Sequence, residues 1–357
     1  MQSNSSKFKV ALIGGGRIAD RHAHVLITNF QESIEVVGFS EILDSRRESF
    51  EAKHKIKGFI ESEEMLRHCQ PDVAVILTES GHHHRDAVNS SKFCKIVLIE
   101  KPMALTLEDA DSILEAGLVN ECDIYVVKQN RFNVPIIKTR ESIEQNLLGD
   151  IILGTIRVRW SRTQNYYDQA EWRGTWKLDG GVLANQASHH VDMLVWMLGK
   201  PTSVQALGRT ALARIEAEDT AVGILEFESG ALGIIEATTA VRPRDLEGSI
   251  SILGSKGTIE VGGFAMNELL VWNVPAQEME TKNLQKWSQN PPDVYGFGHK
   301  TLYENLLAKL RGEKHNLVTG KEGRISLEVI AALYESIEKG ERIYLPSQGR
   351  HSKLGLK

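Results

Sequence analysis

Cysteine is scarce: Cys69, Cys94 and Cys122 are the only three thiols in 357 residues. None forms a C-x-x-C pair or stands at metal-ligand spacing. That excludes a disulfide-stapled secreted scaffold and a cysteine zinc site, and it fits a reducing, cytoplasmic compartment. No apolar run approaches the roughly 20 residues needed to span a bilayer. The N-terminal "MQSNSSKFKV" runs straight into a strand pattern with no apolar signal core, so neither export nor a membrane partner is expected. An excess of positive charge is missing as well. The formal net charge of -5 argues against a general nucleic-acid binder. There is no low-complexity tract and no repeat at solenoid period. What is left is a chain 41% hydrophobic and 25% charged, ordinary for a globular protein and long enough for two domains.

The N-terminal part has one organisation. "FKVALIGGGRIADRHAHVLI" reads as strand, glycine turn, helix. Its glycines give G-x-G-x-x-A at Gly14, Gly16 and Ala19. Gly14 allows the tight turn, Gly16 lets a pyrophosphate approach the backbone, and Ala19 lets the helix pack close to the strand. The helix start, with Arg17 and Ile18, offers free N–H groups and a positive dipole end. A second strand, "IEVVGFSEI", ends in Glu41. An acidic residue about 20 positions beyond the glycines is placed to hold a ribose 2′-hydroxyl and to repel a 2′-phosphate. This favours NAD over NADP, although Arg46 and Arg47 follow closely and a solvated glutamate is the plainer alternative. Further short β-branched runs, "PDVAVILTE", "CKIVLIEKP" and "CDIYVVKQN", alternate with helical patterns. That alternation predicts a doubly wound parallel sheet over residues 1–128. Ligands of such sheets sit beyond the carboxyl ends of the strands. The residues there are Gly14–Gly16, Glu41, Thr78–His83, Glu100–Lys101 and Lys128–Gln129.

In "EKP", Lys101 follows an apolar strand end and precedes Pro102, which biases it to extended backbone. A lysine at the mouth of a dinucleotide site can hydrogen-bond a substrate hydroxyl; a solvated lysine is the alternative. "GHHHRD" invites a metal reading. Three consecutive histidines cannot point one way on a helix, so no metal is expected, and His83 reads as a cofactor-side or structural residue.

Residues 129–357 change character. "RFNVPIIKTRESIEQNLLGD" reads as one helix ending at Gly149, and then strands follow one another. "ESGA" and "GSKG" mark hairpins. This predicts an α/β domain with a large, open, mainly antiparallel sheet whose second face packs on another subunit. Within it lies "LANQASHHVDMLVWML". At about 100° per residue, Asn185, His189, Asp192 and Trp196 fall on one stripe of a helix otherwise apolar and therefore buried. A buried polar stripe needs partners or a ligand. Asn185 and His189 stand four apart and can grip one ligand. An imidazole is the natural base for alcohol oxidation; a structural histidine paired with Asp192 is the alternative.

"GGGRIA", "EKP" and "GGVLANQASHHVDML", in that order, resemble the glucose-fructose oxidoreductase/inositol dehydrogenase family over essentially the whole chain. The resemblance implies an N-terminal Rossmann domain and a C-terminal α/β domain. It implies NAD as cofactor, with Lys101 and His189 on opposite sides of the nicotinamide. The family often carries aspartate where Asn185 stands, and an asparagine cannot act as a base. "YYDQAEWRGTWKLDGGVLANQASHHVDML", "EAEDTAVGILEFESGALG", "LEGSISILGSKGTIEVGG" and "VYGFGH" narrow the likeness to its UDP-N-acetylglucosaminuronate 3-dehydrogenases. That implies oxidation of a sugar C3 hydroxyl, NADH recycled by 2-oxoglutarate, and a homotetramer; a dehydrogenase of another sugar or cyclitol and a non-catalytic NAD-binding regulator are the alternatives. Trp172 and Arg173 resemble a family pair that reaches the nicotinamide. An anionic nucleotide sugar needs cations and amides, and arginines suit its carboxylate and phosphates. Arg157, Arg159, Arg162, Tyr166 and Tyr167 lie just ahead of the helix. Tyr295 and Phe297 offer rings to stack a uracil or simply to pack, and His299 offers a contact to the substrate.

Overall fold

A computed structural model describes residues 7–263, 265–277, 287–288 and 296–356. These form two compact units. The first comprises residues up to Ala104, Glu108–Val127 and His299–Arg324; the second comprises Leu105–Leu107, Lys128–Gly298 and Ile325 onward. The chain passes from the first unit to the second between Val127 and Lys128. Residues 299–324 return to the first unit, although the sequence division put them in the second half.

The first unit is built on β1 (Phe8–Ile13), β2 (Ile34–Ser40), β3 (Gly58–Phe59), β4 (Val73–Ile76), β5 (Ile96–Ile99), β6 (Asp123–Val126) and β14 (Val318–Thr319). Their order is β14-β6-β5-β4-β1-β2-β3. All pairs are parallel except β14 on β6. β4 and β5 are buried along their whole length, which is why their sequences are continuous apolar runs rather than alternations. The intervening helices are α1 (Arg17–Asn29), α2 (Asp44–His54), α3 (Ser62–Cys69), α4 (His83–Ser90) and α5 (Leu107–Val119). Strand order reverses at β1, between β2 and β4, and in such sheets that switch point is where a ligand sits.

The second unit carries a sheet of eight strands in the order β13-β12-β11-β7-β10-β9-β8-β15. They are β7 (Ile151–Arg159), β8 (Pro201–Arg209), β9 (Thr220–Phe227), β10 (Leu232–Thr238), β11 (Glu247–Gly254), β12 (Thr258–Gly262), β13 (Glu268–Asn273) and β15 (Ile343–Tyr344). The two expected hairpins are β9–β10 and β11–β12. One central pair, β7 with β10, is parallel, so the sheet is mixed rather than wholly antiparallel. The helices are α6 (Val134–Glu144), α7 (Gln164–Tyr167), α8 (Ser188–Leu198), α9 (Gly298–Leu310) and α10 (Gly320–Lys339), of which α9 and the start of α10 belong to the first unit. α8 lies on β7, β10 and β11. A Cβ on Gly154 of β7 would stand 2.7 Å from Leu198 Cδ1 and 2.9 Å from Leu194 Cδ1, so glycine is what lets helix and strand approach. On the opposite face Leu207, Val222, Ile224, Leu232 and Ile234 are exposed.

Two helix boundaries differ from the sequence reading. "RFNVPIIKTRESIEQNLLGD" is a 3-10 turn, Gln129–Phe132, followed by α6 from Val134. Pro135 lacks an N–H and fits only the first turn of a helix, so α6 starts there. The helix carrying His189 begins at Ser188, not at Leu183, and Asn185 stands outside it.

Candidate active site

The candidate residues fall into two groups, one in each unit. In the first unit, the chain turns at Gly14 with φ +103, and a Cβ there would lie 2.8 Å from the Leu77 carbonyl oxygen. Around Gly16 nothing stands within 4 Å of where a Cβ would be. A phosphate can therefore reach the backbone there, with the N-terminus of α1, Arg17 and Ile18 behind it. Glu41 stands at the end of β2. Its carboxylate accepts the N–H groups of Gly15 at 3.1 Å and Leu43 at 3.0 Å. A carboxylate has about four acceptor positions, so ribose hydroxyls still find acceptors. Arg47, a possible partner for a 2′-phosphate, donates to the Glu41 carbonyl at 3.0 Å and to Asp44 at 2.5 Å. An open glycine cradle, a helix N-terminus and a carboxylate at the strand end together fit NAD.

Beyond β4 and β5 the side chains are turned inward. Thr78 donates to Asp86 at 2.8 Å. His83 Nδ1 lies 2.7 Å from the Pro102 carbonyl oxygen and its Nε2 lies 2.9 Å from the Thr78 carbonyl oxygen. Burial lowers its pKa. The three histidines of "GHHHRD" diverge: His82 faces Glu79, His83 these carbonyls, and His84 Ser112 and Asp109. Glu100 takes a bond from His22 Nε2 at 3.1 Å and one from the Lys101 amide at 3.0 Å. His22 Nδ1 accepts from the Tyr303 hydroxyl at 2.6 Å. His299 Nε2 lies 3.9 Å from Glu100. Burial by itself raises the Glu100 pKa, but the two histidines bring it well below the usual carboxylate range. His299, expected on the substrate side, is 0% exposed within this cluster. Tyr295 lies outside the described residues, and Phe297 is exposed.

In the second unit, α8 presents His189 and Asp192 one turn apart. Both are buried, His189 at 8% exposure and Asp192 at 2%. Arg131 grips the Asp192 carboxylate with two bonds, Nε to Oδ2 at 2.7 Å and Nη2 to Oδ1 at 2.9 Å. Lys128 adds its charge at 3.7 Å. The Arg131 guanidinium also lies 4.8 Å over the Trp196 ring. Burial raises the Asp192 pKa, yet Lys128, Arg131 and more weakly His189 bring it down to about 2. The polar stripe of α8 is thus a clasp around a cation. His190 differs from its neighbour. Neither of its ring nitrogens has a partner, Trp160 packs edge-on at 5.7 Å, and burial lowers its pKa to about 3.

Asn185 donates to Asp179 from the turn before α8. That turn is not helical because its amides are bound by side chains from elsewhere. Tyr334 Oη accepts from Gly181 at 3.1 Å and Ala184 at 3.2 Å; Glu218 Oε1 accepts from Leu183 at 2.9 Å and from Tyr334 at 2.9 Å. Burial raises the Glu218 carboxyl from 4.5 to about 8, so it is neutral at pH 7. Its contribution to stability is complete below pH 4.5 and is lost as pH rises through about 8. Glu218→Gln keeps the acceptor without the ionisation. Thermal melts should show it equal to the parent near pH 5 and more stable at pH 8–9, by on the order of 4 kcal/mol. A constant difference across that range would contradict this.

Three other candidates, Arg159, Tyr167 and Arg173, are strongly engaged. Arg159 bonds Glu236 through two nitrogens, each at 2.6 Å, and Glu247 at 3.0 Å. Tyr167 is buried with its hydroxyl 3.0 Å from Thr239. Arg173 donates to the Tyr166 hydroxyl at 2.7 Å and lies 4.5 Å over the Trp172 ring. Gln129 is buried in the 3-10 turn that carries Arg131.

Residues 8–126 match the model of an oxidoreductase family's NAD-binding Rossmann fold, and residues 140–345 match the same family's C-terminal alpha/beta domain. The chain belongs to the Gfo/Idh/MocA oxidoreductase family. Its cofactor is NAD. The structure is similar to that of the WlbA dehydrogenase from Bordetella pertussis, crystallised with NADH and UDP-GlcNAcA. That match has a TM-score of 0.91 and 38% identity, over 96% of this chain and 98% of that one. Among curated Gfo/Idh/MocA-like relatives, D-glucoside 3-dehydrogenase of Escherichia coli is 25% identical over 96% of this chain and 98% of its own length. Myo-inositol 2-dehydrogenase of Thermotoga maritima is 22% identical over 94% and 98%. No helix among the described residues is long and apolar enough to cross a membrane.

Sequence reasoning missed three buried polar clusters: the Arg131 clasp, the Glu218–Tyr334 shelf and the His22 cluster. A signal existed for the first. Asp192 on a buried helix demands a cation, and "KQNR" places Lys128 and Arg131 just past an apolar strand. For Glu218, "EAED" gives no such signal, since an acidic run reads as solvated surface.

Proposed function

We propose that this protein oxidises the C3 hydroxyl of UDP-N-acetylglucosaminuronic acid to the ketone with NAD, a cytoplasmic step toward nucleotide sugars of surface polysaccharide. The observation that carries this is the 38% identity, over nearly the whole of both chains, with a dehydrogenase crystallised with NADH and UDP-GlcNAcA. In this reading His189 takes the proton of the reacting hydroxyl. Lys101 hydrogen-bonds to it, and Asn185, held by Asp179, aids orientation without acting as a base. Gly14, Gly16, Arg17, Ile18 and Glu41 hold the cofactor, which when bound supplies the hydride acceptor. Trp172 and Arg173 stiffen one another by stacking. We include 2-oxoglutarate as the oxidant that returns the cofactor to NAD. Exposed aliphatic side chains on β8, β9 and β10 support a homo-oligomer, a tetramer in this reading, assembled on that sheet face.

The sugar and cyclitol dehydrogenases among the relatives favour a second reading, in which the substrate is a free glycoside or inositol. Turnover with and without the nucleotide separates the two. Reduction of NAD by the UDP-sugar supports the first, and reduction by free polyols alone supports the second.

A further inference from the structure

Lys101 stands in a turn whose own backbone supplies few hydrogen bonds. β5 has ended at Ile99, and Pro102 has no N–H to give. Side chains fill the gap from two sides. Glu100 Oε2 accepts the Lys101 amide at 3.0 Å, and His83 Nδ1 lies 2.7 Å from the Pro102 carbonyl oxygen, where its Nδ1–H tautomer donates. Both side chains are buried, at 6% and 2% exposure, so neither is turned toward solvent. Each is itself anchored. Glu100 Oε1 is held by His22 of α1, one turn past the glycine loop, with Tyr303 behind His22. His83 opens α4, and its second nitrogen faces the Thr78 carbonyl at 2.9 Å. The adjoining Leu77 carbonyl is the atom that forbids a side chain at Gly14.

We propose that Glu100 and His83 form a clamp that positions Lys101, with Glu100 tying the lysine turn to the glycine-loop helix through His22. A lysine reaches its target through a flexible four-carbon stem, so the aim of its ammonium depends on a fixed backbone. Misplacement by about 1 Å costs on the order of 10²-fold in rate. Glutamine in place of Glu100 keeps one oxygen and turns the other acceptor into a donor. With its oxygen on the Lys101 amide, its NH2 faces His22 Nε2 and forces the imidazole into the other tautomer, reversing the bond to Tyr303. The proposal rests on the dehydrogenase reading, so its test needs a readout that does not depend on turnover.

That readout is hydrogen exchange of the Lys101 amide in the whole protein without cofactor, comparing the parent with Glu100→Gln and His83→Ala. Exchange should speed up by about tenfold or more in Glu100→Gln, with the rest of β5 unchanged. In turnover assays Glu100→Gln should lose roughly 10–100-fold in kcat while NADH affinity, read by fluorescence, stays within about threefold. In a Lys101→Met background the same substitution should cost no more than about twofold, because residues acting as one unit are non-additive. Full multiplication of the two losses overturns the clamp, as does unchanged exchange at Lys101. Because His22, Glu100 and His299 bring three ligand atoms within 4.8 Å of one another, metal content is measured too. A stoichiometric metal that disappears in Glu100→Gln would make the carboxylate a ligand and overturn the proposal. If the parent turns over none of the sugars, the dehydrogenase reading fails, and the exchange rates still decide the clamp. His83→Ala tests the second arm should Glu100→Gln not fold.

Discussion

His189→Ala is expected to lower kcat by roughly 10²–10⁴-fold, the usual contribution of a positioned general base, with NADH affinity little changed. Two neighbouring histidines on α8 make the comparison internal. His189 stands a turn before Asp192, whose charge is fixed by Arg131 and Lys128. That places an imidazole beside an anion that does not itself take the proton, since its pKa is about 2. His190, 1% exposed and edge-on to Trp160, has no hydrogen-bond partner on either ring nitrogen. A group held neutral down to about pH 3 gives no base function that responds to substrate. His190→Leu should therefore leave kcat within a few-fold and change mainly the melting temperature. Steady-state kinetics on both variants check this. Equal losses at the two positions would contradict the assignment.

Arg131→Met should be the most destabilising single change in the second unit, by about 3–5 kcal/mol, or roughly 10 °C or more in melting temperature. The reason is what it leaves behind. Asp192 is 2% exposed, and both of its oxygens are bonded by Arg131. Without the guanidinium the buried carboxylate keeps Lys128 at 3.7 Å and the weaker influence of His189. The Trp196 ring loses its stacked cation as well. The cost should shrink in the double variant with Asp192→Asn, because the orphaned charge is then gone. A melt of Arg131→Met within 2 °C of the parent, or a double variant as unstable as the sum of the singles, would show that the clasp does not hold α8.

How far these features could be read from the sequence depended on the distance over which each is determined. The glycine loop was legible because its requirements are local: Gly14 must adopt a positive φ under the Leu77 carbonyl, and Gly16 must leave space. The place of Glu41 just past β2 was legible because that strand is short and its end is fixed. The doubly wound sheet followed from buried apolar runs, and the hairpins from their turn residues. The start of α8 was not legible. The amides of Gly181 and Ala184 are taken by Tyr334, 153 and 150 residues away, and that of Leu183 by Glu218, 35 residues away. Helical periodicity in "LANQASHH" carries no trace of those partners. His299 is a similar case. Its neighbours in the chain suggest a loop near a substrate, yet Glu100, far off in sequence, draws it into the first unit's core. Lys101 and His189 can be proposed from their motifs alone, whereas the bonds that Glu100 and Arg131 make around them needed coordinates.

NAD-dependent oxidation of a UDP-linked uronic acid has a direct optical signature. Absorbance of the reduced nicotinamide tests it most directly, with purified protein, NAD and UDP-N-acetylglucosaminuronic acid, followed by 2-oxoglutarate. A rise on adding the sugar and a fall on adding the keto acid are expected, both slowed by roughly 10²–10⁴-fold in His189→Ala. A flat trace from a protein shown to bind NAD would contradict the substrate.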